Sequence, residues 1–276
     1  GVIFLPGLLL DAEGRVLISA EGDPDPDARL PAHEPKEGLT VESDDDKDPP
    51  PQAGEPPAMA RVASRLTLMG ALMTRGIMEQ NPEHETQRQE MVEGLRGTDA
   101  WREGEPAEIA ELETPVGELP EKSAWRLPWQ SEGAAVLAWA LGLMDLPPYD
   151  EQVDLDALFA MIRGLEDGTC QPELRPLDEL DALSFQMLAI HWRLRQFQVE
   201  PKAMDLVDYA PRAWCGPMDL SLARLAGRDL EVEGVPLNEA TEEAWKTTAG
   251  IMQERRMAIH WLLGHASVYS ENDTST

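Results

Sequence analysis

The run of residues 134–141 constrains the fold most, because it is apolar on every side of a helix. Ser131, shortly before the run, belongs to a residue type that caps helix N-termini. Pro147 and Pro148 follow the run and favour a helix end before them. A helix without a polar face must be covered by other elements, since a surface helix keeps one polar side. We therefore expect a central core helix with other helices packed around it.

Other segments repeat apolar residues at three- and four-residue spacing, which is typical of helices with one buried face. The clearest segment begins near Met59 and should end before Asn81-Pro82. Further helices are predicted over residues 82–95, 154–165, 178–197, and from Asn238 or Thr241 to Leu263. Residues 230–235 favour a short strand or hairpin instead. The sequence thus predicts a mainly α protein.

The first 57 residues have a different character. Two apolar runs, residues 2–10 and 15–19, flank a polar turn that contains Gly14, and this pattern favours a β-hairpin over residues 1–20. Residues 21–57 are rich in proline and acidic residues, so burial there cannot offset the entropy of ordering. We expect a linker or an extended surface arm in that stretch, and a single helical domain over residues 58–276.

The chain has a large excess of negative charge, with 23 Lys and Arg against 52 Asp and Glu and a formal net charge of −29. Nucleic acid and anionic membranes are therefore poor partners, because binding to phosphate requires clustered basic residues. A basic protein is the natural complement. The simpler interpretation is that the charge only keeps the protein soluble.

The most acidic segment, residues 79–121, contains thirteen acidic and three basic residues. We expect it to form an exposed acidic face, since clustered charge of this kind steers an oppositely charged partner toward the surface. The candidate residues for binding a basic partner are Glu83, Glu85, Glu90, Glu93, Asp99, Glu103, Glu105, Glu108, Glu111 and Glu113.

The sequence contains no motif for catalysis, cofactor binding or metal binding. It lacks glycine-rich phosphate loops, nucleophile elbows and HExxH patterns, and its five histidines do not have metal-ligand spacing, so no cofactor and no metal are expected. Cys170 and Cys215 are the only cysteines, which favours free thiols in a reducing compartment. No segment has the apolar length of a membrane helix, and we expect a cytoplasmic location.

The last predicted helix places a charge inside its apolar stripe. The stripe consists of Trp245, Thr248, Met252, Arg255, Ile259 and Leu262. Arg255 thus stands where the helical period requires an apolar side chain. A buried arginine keeps its charge and needs carboxylate or carbonyl partners. The candidate partners are Glu132, Asp145, Asp181 and Glu254.

His191 lies beside the apolar stripe of the helix predicted over residues 178–197, and it is the histidine that we most expect to be buried. Two interpretations of Glu132, His191, Arg255 and Glu254 stay open. In the first, they form an internal network of ion pairs and hydrogen bonds that fixes the register of the helices. In the second, they line a polar pocket in which Glu132 or His191 acts as acid and base and Arg255 holds an anion.

Several short segments carry a resemblance to a known family. They are residues 131–142 (SEGAAVLAWALG), residues 191–195 (HWRLR), residues 254–256 (ERR) with 261–263 (WLL), and the terminal Asp273-Thr274. Together they resemble the domain-of-unknown-function 4272 family over residues 59–276, with His260 and Tyr269 where that family usually has asparagine and tryptophan. The resemblance implies an α-helical bacterial protein without an assigned catalytic residue, in a family with members beside secreted antibacterial toxins.

We therefore expect an acidic interaction protein, namely an immunity protein that binds and neutralises a basic secreted toxin such as a nuclease of a type VI secretion system. An acidic inhibitor gains fast association with a basic toxin and can cover the surface with which the toxin binds nucleic acid. The alternative is an enzyme or small-ligand-binding protein that uses a pocket around Glu132, His191 and Arg255. A third hypothesis is a self-associating scaffold, for example a homodimer, with neither activity.

Overall fold

The computed structural model describes residues 54–214, 216–272 and 274, together with the backbone of three strands within the first 20 residues. Most of the arm expected at residues 21–57 lies outside the described residues, as do Cys215 and Asp273. Cys170 is a free thiol. Contacts divide the chain into two units, Gly1–Asp48 and Pro49–Thr276.

The first unit contains three short strands, β1 (Ile3–Leu5), β2 (Leu8–Leu10) and β3 (Val16–Ser19). They pair antiparallel in the order β1-β2-β3, with Ile3 opposite Leu10 and Leu9 opposite Ile18. The hairpin predicted over residues 1–20 corresponds to β2 and β3, and the first apolar run contributes two strands instead of one. The polar turn with Gly14 lies outside the described residues.

The second unit is mostly helical. Its helices are α1 (Met59–Met78), α2 (Glu85–Leu95), α3 (Asp99–Glu103), α4 (Pro106–Glu113), α5 (Glu121–Ala140), α6 (Leu155–Glu166), α7 (Leu177–Val199), α8 (Leu206–Tyr209) and α9 (Glu242–Leu262). Short 3-10 helices lie at Pro82–His84, Ala210–Arg212, Leu237–Glu239 and Tyr269–Glu271. For the described residues, the prediction of a mainly α protein is confirmed.

The helix α5 is central and packs against α1, α6 and α9. Its residues 130–138 are buried on all sides, as their composition predicts. The predicted start of this helix was wrong, because α5 begins at Glu121 and Ser131 is a buried residue inside it. Pro128 normally disfavours a helix interior. Here it lies against Gly76 of α1, where an added Cβ would be 2.8 Å from the Pro128 Cδ, so the two helices approach closely.

The other long helices follow their predicted boundaries within a few residues. Asp154 caps α6, and the Thr241 hydroxyl caps α9 by accepting a 3.1 Å hydrogen bond from the backbone N–H of Ala244. The short helices α3, α4 and α8 were not predicted. Helices this short contain too few apolar positions to establish a period.

A small antiparallel sheet precedes α9. It consists of β4 (Leu225–Ala226), β5 (Asp229–Val232) and β6 (Val235–Pro236) in that order, and β5 with β6 confirms the predicted hairpin at residues 230–235. Gly234 in the connecting turn has a φ of 84°, a left-handed conformation that glycine adopts without strain.

Two hydrophobic clusters form the core of the helical unit. The larger one joins α1, α5, α6, α7 and α9, and the smaller one joins α1 to α2, α3, α4 and the first half of α5. The helix α1 therefore belongs to both clusters, with Leu66 and Met69 in the larger and Leu68 and Leu72 in the smaller. In the described part of the chain, no helix is both long enough and apolar enough to cross a membrane.

Candidate functional site

Arg255 of α9 and Glu132 of α5 form a buried ion pair inside the larger cluster. Arg255 donates from Nε and Nη2 to Glu132 Oε2 at 3.0 and 2.9 Å, and the two side chains are 2% and 0% exposed. Burial lowers the pKa of Arg255, and the Glu132 carboxylate opposes this shift. Of the four carboxylates predicted as candidate partners, Glu132 is the one that pairs with Arg255 in the structure.

Backbone groups use the remaining hydrogen-bonding capacity of this pair. Arg255 Nη1 donates to the carbonyls of Pro147 and Pro148 at 2.9 and 3.1 Å, and Nη2 donates to the Glu151 carbonyl at 2.9 Å. Glu132 Oε1 accepts from the backbone N–H of Val153 at 2.9 Å. The network therefore fixes the segment between α5 and α6 against α9, and its groups face one another rather than a ligand.

Glu254, next to Arg255 in sequence, does not share this network of hydrogen bonds. Burial raises the pKa of Glu254 to about 7, while Arg126 opposes the shift and Glu132 adds to it. Its charge in turn contributes to the raised pKa of Tyr269, for which burial is the largest cause. Glu254 is therefore a half-buried carboxyl group whose pKa is raised to near neutrality.

His191 of α7 is buried, but the structure does not place it among the contacts of Glu132 and Arg255. Its Nε2 lies 3.0 Å from the Thr274 carbonyl. Burial lowers the pKa of His191 to about 3, and the positive charge of Arg256 adds to the shift. His191 lines a cavity of about 390 Å³ together with Arg195 and Gln253. The predicted set thus divides between two places in the fold.

The acidic segment at residues 79–121 folds into α2, α3 and α4, and its carboxylates differ in exposure. Glu83, Glu90, Glu93, Asp99 and Glu113 are exposed. The half-buried members are Glu85, which pairs with Arg88, Glu103 with Arg61, Glu111 with Arg126, and Glu105, which accepts from Ser270.

Glu108 is not part of an exposed face, because it is buried against Arg65 of α1. Arg65 Nη1 donates to Glu108 Oε2 at 2.8 Å and Nη2 donates to Oε1 at 2.5 Å. Glu108 Oε2 also accepts from the backbone N–H of Glu105, which closes a capping box at the start of α4. The spacing of Glu105 and Glu108 around Pro106 is a helix-start signal that sequence reasoning missed.

A groove of about 820 Å³ runs along α1 between α2 and α3 on one side and α6 on the other. Small residues of α1 line it: Ala63, Ser64, Thr67, Gly70, Ala71 and Thr74. Met91 and Phe159 contribute apolar walls. The exposed charged residues of the lining are the carboxylates of Glu90, Asp99 and Glu166 and the guanidinium of Arg163. The three- and four-residue spacing of small residues on α1 was a sequence signal for this groove that the analysis of apolar residues missed.

A second cleft, of about 710 Å³, lies between the start of α7 and the end of α9. Arg256, His260 and His265 line one side of it, and Asp178 and Asp181 line the other. Among the residues that the structure describes, no three His, Cys, Asp or Glu side chains are grouped so that they could hold a metal ion.

Comparison with protein-family models matches residues 41–210 to a family described as "Domain of unknown function (DUF4272)". The matched region contains all helices from α1 to α8 and ends before α9. No curated protein and no solved structure matches the chain.

Proposed function

This chain belongs to the DUF4272 family, and from that premise we propose that it is an acidic interaction protein that binds a basic protein partner. The partner that we propose is a secreted toxin, such as a nuclease of a type VI secretion system, and the chain would be the cytoplasmic immunity protein that neutralises it. The observation that carries the proposal is the groove along α1, which combines an apolar interior with a rim on which three carboxylates outnumber one arginine, Arg163.

The floor of the groove favours close approach of a partner segment. Ser64, Thr67 and Thr74 are small and half-buried, so they leave room for a partner segment along this side of α1. Met91 and Phe159 offer apolar walls, and methionine adapts its shape to varied partners. An amphipathic helix binds such a groove by laying its apolar face on the floor.

The rim of the groove favours a positively charged partner. Glu90 and Asp99 are exposed carboxylates on the side formed by α2 and α3. On the α6 side, burial raises the pKa of Glu166, Arg163 opposes the shift and the nearby Asp167 adds to it. Arg163 offsets part of this cost of keeping the carboxylate charged, and a lysine or arginine of the partner beside Glu166 would offset more of it.

The exposed carboxylates of Glu83, Glu93 and Glu113 extend the same negative surface beyond the groove. The proposed interaction protein also contains the expected acidic arm at residues 21–57 and the apolar hairpin at residues 1–20, in addition to its single helical domain. Charge of this extent accelerates association with a basic partner more than it strengthens the final complex.

Replacing Gly94 by tryptophan tests the groove. Gly94 lies on α2 and lines the groove, and a Cβ added there has no atom within 4 Å. The new side chain therefore fills the groove without displacing the core. Gln89 is exposed, does not line the groove and donates to Glu85 on the same helix, so Gln89→Trp is the control at a nearby position outside the groove.

The binding partner in this test would be a basic toxin encoded beside the gene for this chain, and calorimetry with a toxin activity assay would give the readout. We expect the unaltered chain and Gln89→Trp to bind and neutralise the toxin alike. Gly94→Trp should weaken binding by at least about tenfold, which corresponds to about 1.4 kcal/mol. Equal binding by all three proteins would exclude the groove, and no binding of that toxin would remove the immunity proposal.

A further inference from the structure

A third cleft, of about 500 Å³, lies between the end of α1 and the first half of α5. Glu79 and Gln80 line one side of it, and Trp125, Pro128 and Trp129 line the other. This tryptophan cleft shares no lining residue with the groove along α1 or with the cleft between α7 and α9. It is therefore a separate candidate site.

Trp125 and Trp129 give the tryptophan cleft an aromatic wall. They are four residues apart on α5, so their side chains are neighbours on one face of the helix. Trp125 is 72% exposed, and a ligand from solution can reach its ring. Trp129 is half-buried and rests on α9, since a Cβ added at Gly250 would lie 3.1 Å from the Trp129 Cζ3. The wall thus combines one accessible ring with one ring that the fold holds in place.

The charged groups that line this cleft do not favour an anion. Glu79 accepts hydrogen bonds from the backbone N–H groups of Gly117 and Leu119 at 2.9 and 2.8 Å, and from Arg75 at 2.7 Å. Its carboxylate is thus already occupied, and Arg75 offsets its charge. Among the described residues, no lysine, arginine or histidine lines the cleft. An anion would therefore find no cation in the lining.

The exposed charges beside the cleft leave a small negative excess. Glu118 is exposed and lies between the two residues whose N–H groups bind Glu79. Glu121 and Lys122 are exposed in the first turn of α5 and offset each other. Arg126 pairs with Glu111 at 2.6 Å. The surroundings therefore attract a cation weakly and repel an anion.

The aromatic wall supplies the main attraction for a cation. The face of an aromatic ring carries negative potential, and tryptophan attracts cations more strongly than tyrosine or phenylalanine. A primary ammonium or a guanidinium would also need hydrogen-bond acceptors for its N–H groups. Because the Glu79 carboxylate is occupied, a cation without N–H groups suits the cleft better. A quaternary ammonium group is such a cation, and aromatic side chains recognise it in other proteins.

We propose that the tryptophan cleft binds a small organic cation with a quaternary ammonium group, held against the rings of Trp125 and Trp129. The proposal does not depend on the proposed immunity function, because this cleft and the groove along α1 share no lining residue. Its ligand is a small molecule rather than a protein.

Titration with choline tests the proposal, with sodium chloride keeping the ionic strength constant. Calorimetry and the NMR signals of the tryptophan indole N–H groups follow binding. We expect saturable binding that shifts the signals of Trp125 and Trp129. The compound 3,3-dimethyl-1-butanol has the shape of choline without the charge, and it should bind about tenfold more weakly because it gains no cation–π attraction.

Phosphocholine distinguishes a free cation from a lipid headgroup as the source of the ammonium group. Its phosphate adds negative charge beside Glu118 and Glu121, so it should bind more weakly than choline. Tighter binding of phosphocholine than of choline would overturn the proposal of a free cation.

Two substitutions at Trp125 separate cation–π attraction from apolar contact. Trp125→Leu keeps an apolar side chain without a ring, and the affinity for choline should fall about threefold or more. Trp125→Phe keeps a ring and should lose less. Both variants should unfold at the temperature of the unaltered chain, because Trp125 is exposed. Trp214→Leu is the matched control, since Trp214 is 77% exposed outside this cleft, and it should bind choline unchanged.

A substitution on the α1 side keeps the test decisive if Trp125→Leu does not fold. Gln80→Arg changes an exposed residue and places a competing cation in the lining, so choline binding should weaken severalfold. Unchanged choline binding by folded Trp125→Leu or Gln80→Arg would overturn the proposal. So would the absence of saturable choline binding, or 3,3-dimethyl-1-butanol binding as tightly as choline.

Discussion

Glu254 is half-buried and His191 is buried, and in both residues folding favours the neutral form of the side chain. Burial raises the pKa of Glu254 from 4.5 to about 7. Burial, with the charge of Arg256, lowers the pKa of His191 from 6.5 to about 3. A group whose pKa differs between the folded and unfolded chain makes stability depend on pH. As pH rises, the contributions of these two residues therefore change the stability of the fold in opposite directions.

The direction follows from which state binds the proton. Between about pH 4.5 and 7, folded Glu254 keeps a proton that the unfolded chain has released, so its contribution makes stability fall as pH rises. Between about pH 3 and 6.5, the unfolded chain protonates His191 and the folded chain does not, so stability falls as pH drops. Their combined effect favours maximal stability in mildly acidic solution.

Substituting Glu254→Gln isolates the first of these contributions. Glutamine cannot ionise, so the variant escapes the loss of stability that Glu254 causes as pH rises. The free energy of unfolding of the variant minus that of the unaltered chain should increase from about pH 5 to about pH 8. Urea denaturation at several pH values measures this difference, and the contribution of His191 cancels in it. A difference that does not change with pH would contradict a raised pKa for Glu254.

Among the charged residues, sequence reasoning could identify Arg255 and its partner Glu132 but not Arg65 and Glu108. Arg255 lies inside an apolar stripe, so the helical period of that stripe alone predicts that the Arg255 side chain is buried. Arg65 lies next to a stripe, and its burial depends on α4 folding over α1. The two partners are 43 residues apart in sequence, and nothing in their local patterns specifies that contact. The surroundings of His191 depend on Thr274 in the same way.

At the scale of elements, the packing of the last 3-10 helix against α5 depends on Gly133. A Cβ added at Gly133 would lie 2.5 Å from the Tyr269 Oη and 3.0 Å from the Met69 Cε. The Tyr269 ring also packs against Arg65, whose guanidinium lies 4.2 Å from the ring centroid. Its buried hydroxyl has no hydrogen-bond partner among the described residues, and close packing positions this oxygen there.

Gly133→Ala should therefore destabilise the fold by about 1–3 kcal/mol, the usual cost of overpacking a filled core. Tyr269→Phe removes the oxygen that the new methyl group meets, and on its own it should be neutral or stabilising because that hydroxyl is unpaired. The double variant should recover most of the stability. Urea denaturation of the four proteins gives the coupling between the two sites.

Gly94→Ala is a suitable control for this double-mutant cycle of Gly133→Ala and Tyr269→Phe. Gly94 lies in a helix with open space around its Cβ position, so alanine there should stabilise the fold by about 0.5–1 kcal/mol through helix propensity. If the double variant is as unstable as Gly133→Ala alone, contact with Tyr269 is not the cause of the loss.

The sequence predicted elements well where they are long and regular. The helices α1, α6, α7 and α9 extend over several turns, so their apolar stripes determine their boundaries, and side-chain caps also mark the starts of α6 and α9. The first half of α5 was not predicted because a proline such as Pro128 normally disfavours a helix interior. In the structure, Pro128 lies inside α5 and packs closely against Gly76 of α1. The groove along α1 was not predicted either, because its walls form only where α2, α3 and α6 pack against α1.

At the scale of the whole molecule, charge is the dominant property. The formal net charge is −29, and five buried arginines of the described residues each pair with a carboxylate. Many of the remaining carboxylates are exposed, including Glu83, Glu90, Glu93 and Asp99. Repulsion among like charges opposes the compact state, because folding brings the charges closer together than they are in the unfolded chain.

Added salt should therefore stabilise this protein. Raising sodium chloride from about 0.02 to 0.5 M shortens the Debye length to a few ångströms and screens the repulsion among exposed carboxylates. Buried pairs such as Arg255 with Glu132 are screened much less, so little stability is lost in exchange. Urea denaturation across this range should show a rising free energy of unfolding, with potassium chloride giving the same increase. A fall with salt would mean that exposed ion pairs, rather than net repulsion, dominate the surface electrostatics.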